Sequence, residues 1–147
     1  MNYLTIIEAQ EYFDTRLNIE AWDNASATDR TKSLSMSTRI IDGLNYLGSK
    51  TDSSQENQFP RGGETDIPTP IKNACAEIAL ALLDGVEPDL ELENLGIVHQ
   101  GISSAKTTYD RSFVAEHSAN GVPSATAWAY LKPYMVDIKS LTLNRVN

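Results

Sequence analysis

The chain has 147 residues, 41% of them hydrophobic and 22% charged, with a formal net charge of −8. That length suits one domain with its own buried core, and the composition is ordinary for a soluble globular chain. It has no apolar run near the roughly 20 residues of a membrane-spanning helix, and its single cysteine, Cys75, excludes an internal disulfide.

The opening Met1-Asn2-Tyr3-Leu4-Thr5 has no basic start and no cleavage pattern, so a cytoplasmic protein is expected. Thr5 followed three residues later by Glu8 is a capping-box pattern. It predicts a helix over about 6–17, with Ile6, Ala9, Phe13 and Leu17 inward. Residues 19–22 read as one further turn, with Trp22 as a plug.

Ser26 with Asp29 marks the next helix start. That helix is expected to reach about Leu47. Met36, Ile40, Leu44 and Leu47 form the inward stripe, and Arg30, Ser33, Ser37 and Thr38 the solvated face.

Gly48 to Asp66 is a long polar loop, of the kind that is functional or disordered when it lacks structure of its own. Phe59-Pro60 predicts partial anchoring on the body. Thr69 as cap and Pro70 at the first helical position begin an almost wholly apolar helix, and Gly85 is placed for a left-handed cap at its end. Such a helix has to be walled in by other elements. Cys75 lies on it, so a buried thiol is expected.

Val86 to Asn94 is an acidic connector whose Glu87, Asp89, Glu91 and Glu93 do not follow a calcium-loop order, so a solvated loop is expected. A short hairpin is expected around Gly101, from 97–100 and 103–109. Residues 118–123 read as a turn and 124–131 as a short helix with Trp128 and Leu131 inward. Pro133 bends or ends that helix. Val136 to Asn147 reads as extended, with Leu141, Leu143 and Arg145 on one side.

Charge divides along the chain. Residues 1–100 carry 17 acids and 7 bases, a net of −10, whereas residues 101–147 carry 3 acids and 5 bases, a net of +2. An acidic body repels nucleic acid, because phosphate binding needs clustered Lys and Arg. The basic third either meets an acidic partner or reflects chance over so short a stretch. The chain lacks a P-loop, GxGxxG, CxxC, HExxH and GxSxG. His99 and His117 lie 18 apart, without metal-ligand spacing. Arg61 beside two glycines either holds an anion or fixes its own loop through carbonyls or a nearby acid such as Glu64 or Asp66. No catalytic residue, metal or cofactor is expected, and a non-enzymatic interaction protein is.

These landmarks resemble the head-completion or adaptor proteins of tailed bacteriophages, a family often labelled DnaT-like single-strand DNA binding proteins. The resemblance rests on YLTIIEAQEYFDTRL, AWDNASATDR, RIIDGLNYLGSKT and FPRGG with IPTPIKNACAEIALALLDG, and covers Met1 to Gly85. Beyond that, only LKPYM and the tail are suggestive. The chain departs from the family in a Ser-rich second helix.

The resemblance implies a mainly α fold with a small β element and assembly as a ring, commonly of twelve copies. It further implies a tail reaching into the portal, a portal protein and a tail or nozzle protein as partners, and genomic DNA passing through without specific binding. The location implied is the virion neck, assembled in the host cytoplasm, with no membrane partner. A single-strand DNA binder of phage replication is the alternative.

The combined expectation is one domain over 1–147. Its body, about 1–85, is a small bundle of three to four helices, followed over 86–147 by an acidic linker, a short β-hairpin, a short helix and an extended C-terminal tail. Phe59, Pro60, Arg61, Lys139, Leu141, Leu143 and Arg145 are the expected partner contacts, because the loop and the tail are the segments a compact monomer cannot easily bury.

Overall fold

A computed structural model describes residues 1–93, 97–100, 107–109 and 115–137. The described chain is mainly helical. Helices α1 (Ile6–Phe13), α3 (Ala27–Asp42), α4 (Thr69–Leu83) and α7 (Ala125–Leu131) form the bundle. Helices α2 (Glu20–Asp23), α5 (Pro88–Glu93) and α6 (Glu116–Ala119) are shorter pieces besides these four. No described helix is long and apolar enough to cross a membrane.

The capping box forms as its spacing requires. The Glu8 amide donates to Thr5 Oγ1 at 3.2 Å, and the Thr5 amide donates back to Glu8 Oε2 at 2.9 Å. Helix α1 stops at Phe13 rather than Leu17. The Thr15 and Arg16 amides bond only three residues back, and Asn18 takes a left-handed φ of 58°. The chain has therefore turned before Leu17 can pack, and Leu17 is 84% exposed. Trp22, on α2, fills the space against Phe13 at 4.7 Å between ring centres. Its indole Nε1 donates to Gln10 Oε1 at 2.9 Å.

Helix α3 buries the face that its polarity assigned to solvent. Ser33, Leu34, Ser37, Thr38 and Ile41 point inward, while Met36 is 44% and Leu47 57% exposed, and Ile40 and Leu44 are half-buried. The hydroxyls make this possible. Ser37 Oγ donates to Ser33 O at 2.8 Å, Thr38 Oγ1 to Leu34 O at 3.0 Å, and Ser33 Oγ to Arg30 O at 2.8 Å. Each polar atom is satisfied by its own helix, so only a small side chain is presented to the core. Helices α3 and α4 then pack as the main pair of the bundle, with Cys75 Sγ 3.9 Å from both Thr38 Oγ1 and Leu34 O. Helix α3 ends at Asp42, not near Leu47.

Helix α4 is the centre of the fold. It packs against α1, α2, α3 and α7 and buries Ile71 and 74–80. Its N-cap is Pro68, one residue earlier than expected, with Pro70 inside the first turn. At its end Gly85 adopts φ +92°, which lets the Val86 amide reach Ala81 O at 3.1 Å. Burial pushes the Cys75 thiol up to about 12.

Part of the acidic connector is helical, as α5. Strands β1 (Ile97–Gln100) and β2 (Thr107–Tyr109) run antiparallel, but residues 101–106 lie outside the described residues. The hairpin expected there is not established as an element of the fold. His117 has a structural contact, its Nδ1 lying 2.7 Å from Val122 O. Ser124 caps α7 by accepting from the Ala127 amide at 3.1 Å. Leu131 is buried, and Trp128 is only half-buried. Pro133 sits in a single 3-10 turn, Lys132–Tyr134, that ends the helix. The tail beyond Asp137 lies outside the described residues.

Candidate functional site

The loop that carries Phe59, Pro60 and Arg61 folds back onto the body and is not an unsupported excursion. Phe59 is buried, with ring centres 6.2 Å from Tyr3, 4.7 Å from Tyr46 and 5.6 Å from Tyr134, all edge-to-face. The Phe59–Pro60 peptide is cis. The Tyr3 hydroxyl donates to Asp42 and accepts the Phe59 amide at 3.2 Å, and Asp42 also accepts the Gln58 amide at 3.0 Å. Burial first, and Asp42 second, push the Tyr3 phenol above its ordinary range.

Arg61 fastens the two sides of the loop. Its Nε donates to Leu47 O at 3.0 Å, and its Nη2 donates to Gly48 O at 2.6 Å and Tyr46 O at 3.4 Å. Its Nη1 donates to Gln58 Oε1 at 2.8 Å and Gln58 O at 3.3 Å. The guanidinium also lies 5.9 Å from the Tyr46 ring centre. Every nitrogen of its planar fork is in use, so Arg61 spends its donors on its own loop. Backbone pairs Gly62–Ser49 (3.0 Å) and Thr51–Pro60 (3.1 Å) complete the clasp.

The same 45–47 stretch receives the root of the C-terminal segment. The Leu47 amide donates to Tyr134 O at 2.9 Å, and the Val136 amide donates to Asn45 O at 3.2 Å. A cavity of about 620 Å³ opens between them, lined by Gly43, Asn45, Gln58, Arg61, Asn120 and Met135. Phe59, Pro60 and Arg61 are thus together, beside the point where the tail departs. Lys139, Leu141, Leu143 and Arg145 lie outside the described residues.

Sequence reasoning passed over a second polar cluster. Glu77 is 3% exposed on α4, and both its oxygens meet Arg16, at 2.6 Å from Nε and 3.0 Å from Nη2. The Tyr12 hydroxyl donates to Glu77 Oε1 at 2.5 Å. The hydrogen bond to Glu77 raises the Arg16 pKa, and burial pushes the Tyr12 phenol up. A lone acid inside an apolar helix was the available signal, since a buried carboxylate demands a partner.

Cations of the described body are largely spent in this way. Arg16 serves Glu77, Lys72 meets Glu8 at 2.8 Å, and Lys132 meets Glu116 at 3.0 Å. Arg30 donates to Trp22 O and Asp23 O, and Lys50 to Gln55 O. Among the described residues no cluster of His, Cys, Asp or Glu could hold a metal ion.

A family model described as "Putative DnaT-like ssDNA binding protein" matches residues 2–144. The chain belongs to this DnaT-like family. Neither a curated protein nor a solved structure matches it. In this member, the buried Phe59, the clasped Arg61 and the tail root form one continuous feature of the fold.

Proposed function

We propose that this chain is a non-catalytic binding protein whose ligand is single-stranded DNA, contacted by its C-terminal third rather than by its helical body. The observation that carries the reading is how charge divides along the chain. In the body Arg16, Arg30, Arg61 and Lys72 are committed to internal acceptors, within a stretch of net charge −10. The net positive charge lies over 101–147, including Lys106, Arg111, Lys139 and Arg145. The family description favours the same ligand.

Each neutralised phosphate of a single strand contributes about −0.7 to the slope of log affinity against log salt. Engagement of those four cations gives a slope near about −3, with a low-salt Kd on the order of 10 µM. Fluorescence anisotropy with labelled oligo(dT) at 20–200 mM salt measures both. Absence of binding at 100 µM protein and 20 mM salt rejects the reading.

A second reading is favoured by the acidic body. A ring of such bodies, commonly twelve, between portal and tail or nozzle in a phage neck would let genomic DNA slide without adhering. Of the loop residues expected to make contacts in that reading, Phe59 is buried and Arg61 bonds its own loop, while Thr51, Asp52, Ser53 and Ser54 at the loop tip are exposed. Native mass spectrometry with purified portal tests it, and a persistent monomer counts against it.

A further inference from the structure

A groove of about 830 Å³ lies away from Arg61, where α3 passes the end of α4 and the start of α5. Its floor is apolar, built from Ala25, Met36, Leu82, Leu83 and Val86. Met36 is the exposed member, and the other four are half-buried. Five carboxylates and one ammonium line the same groove, Glu20, Asp29, Asp84, Glu87 and Asp89 against Lys32, for a net of −4. All six are exposed, and none has an ion-pair partner among the described residues.

The charge is uneven across the groove. On the α3 wall Lys32 stands one turn after Asp29 and offsets it. The opposite wall, the turn from α4 into α5, carries Asp84, Glu87 and Asp89 with no base among the groove's lining there. An apolar floor beside one acidic wall selects an occupant that is apolar along one side and basic on one flank. An amphipathic helix laid between helices presents both, with apolar residues at i, i+3, i+4 and i+7. A second copy of this body fits the charge poorly, because residues 1–100 carry a net of −10 and like charge opposes the approach.

We propose that this groove receives a basic amphipathic helix of another protein, with its apolar residues on Met36, Leu82 and Leu83 and its bases on Asp84, Glu87 and Asp89. The surface belongs to the helical body, so it serves a protein partner independently of DNA binding by the C-terminal third.

Fluorescence anisotropy of the full chain with a labelled helix-forming peptide of Leu and Lys, about 15 residues long, tests it. The probe carries Leu at i, i+3, i+4 and i+7, and a control of the same composition is scrambled so that no apolar face remains. The probe is expected to bind about tenfold tighter than the control. Asp84→Lys with Glu87→Lys is expected to weaken it about tenfold, and Glu11→Lys with Glu64→Lys, an equal change of charge at exposed sites outside the groove, by less than about threefold. A lysine at 84 suits the C-terminal end of α4, so the fold tolerates it. Met36→Ser leaves the charge untouched and is expected to weaken binding about fivefold. Equal weakening by the two charge pairs overturns the proposal, because adhesion then follows net charge alone. A scrambled peptide that binds as tightly as the probe, or Met36→Ser binding like the unaltered chain, overturns it as well. So does a dimer of the unaltered chain in sedimentation velocity that Asp84→Lys with Glu87→Lys dissociates, because it assigns the groove to a second copy.

Discussion

Arg16 and Glu77 meet side on, through hydrogen bonds of 2.6 and 3.0 Å, where the central apolar helix faces α1. The carboxylate is buried and the guanidinium is 30% exposed, so one partner is dry and the other reaches water. Breaking such a pair costs more than deleting it, because the survivor remains unpaired. Glu77→Ala is expected to lose about 3 kcal/mol, and Arg16→Met with Glu77→Leu to recover most of that. Urea unfolding measures both. Equal losses for the single and double variants would show that packing, not charge, governs the site.

Glu8 supplies a pH dependence. The hydrogen bond from Lys72, and then that from the Thr5 amide, hold its carboxyl at about 2 against an ordinary value near 4.5. A depressed carboxyl contributes stability that is present above its unfolded pKa and lost as pH falls through the folded one. Melting temperature is therefore expected to decline between about pH 4.5 and pH 2, by a small amount because the pair is partly exposed. Lys72→Met should raise the Glu8 pKa in a carboxyl-detected NMR titration. An unchanged titration would mean that the cap alone sets it.

Arg61 is expected to tolerate no substitute. Lysine offers one ammonium in place of a fork that spans Leu47, Gly48 and Gln58. Arg61→Lys should cost about 2 kcal/mol. The Leu47 and Val136 amides, which tie the loop to the tail root, should exchange hydrogen at least tenfold faster together. Faster exchange at Leu47 alone would separate the loop from the tail.

The orientation of α3 is testable with two substitutions of opposite sense. Ser37→Leu places a large side chain in a fully packed position and should cost about 1–3 kcal/mol. Met36→Ser removes an exposed apolar group and should change stability by less than about 0.5 kcal/mol. Thermal melts of the two variants compare the faces directly, and the reverse ranking would put Met36 inside.

Local signals were legible in the sequence. Thr5 with Glu8, Ser26 with Asp29, and Gly85 each act through contacts within five residues, so the chain alone determines where these helices begin or end. The apolar character of α4 likewise dictated its burial, and Cys75 went with it. Three matters were decided only in three dimensions. Hydroxyls bonded to their own helix let Ser33, Ser37 and Thr38 turn inward, inverting the face that polarity predicts. Glu77 found Arg16 across 61 residues, and Phe59 found Tyr3 across 56. A side chain's polarity is a property of the residue, but its satisfaction depends on neighbours that only the folded chain brings near.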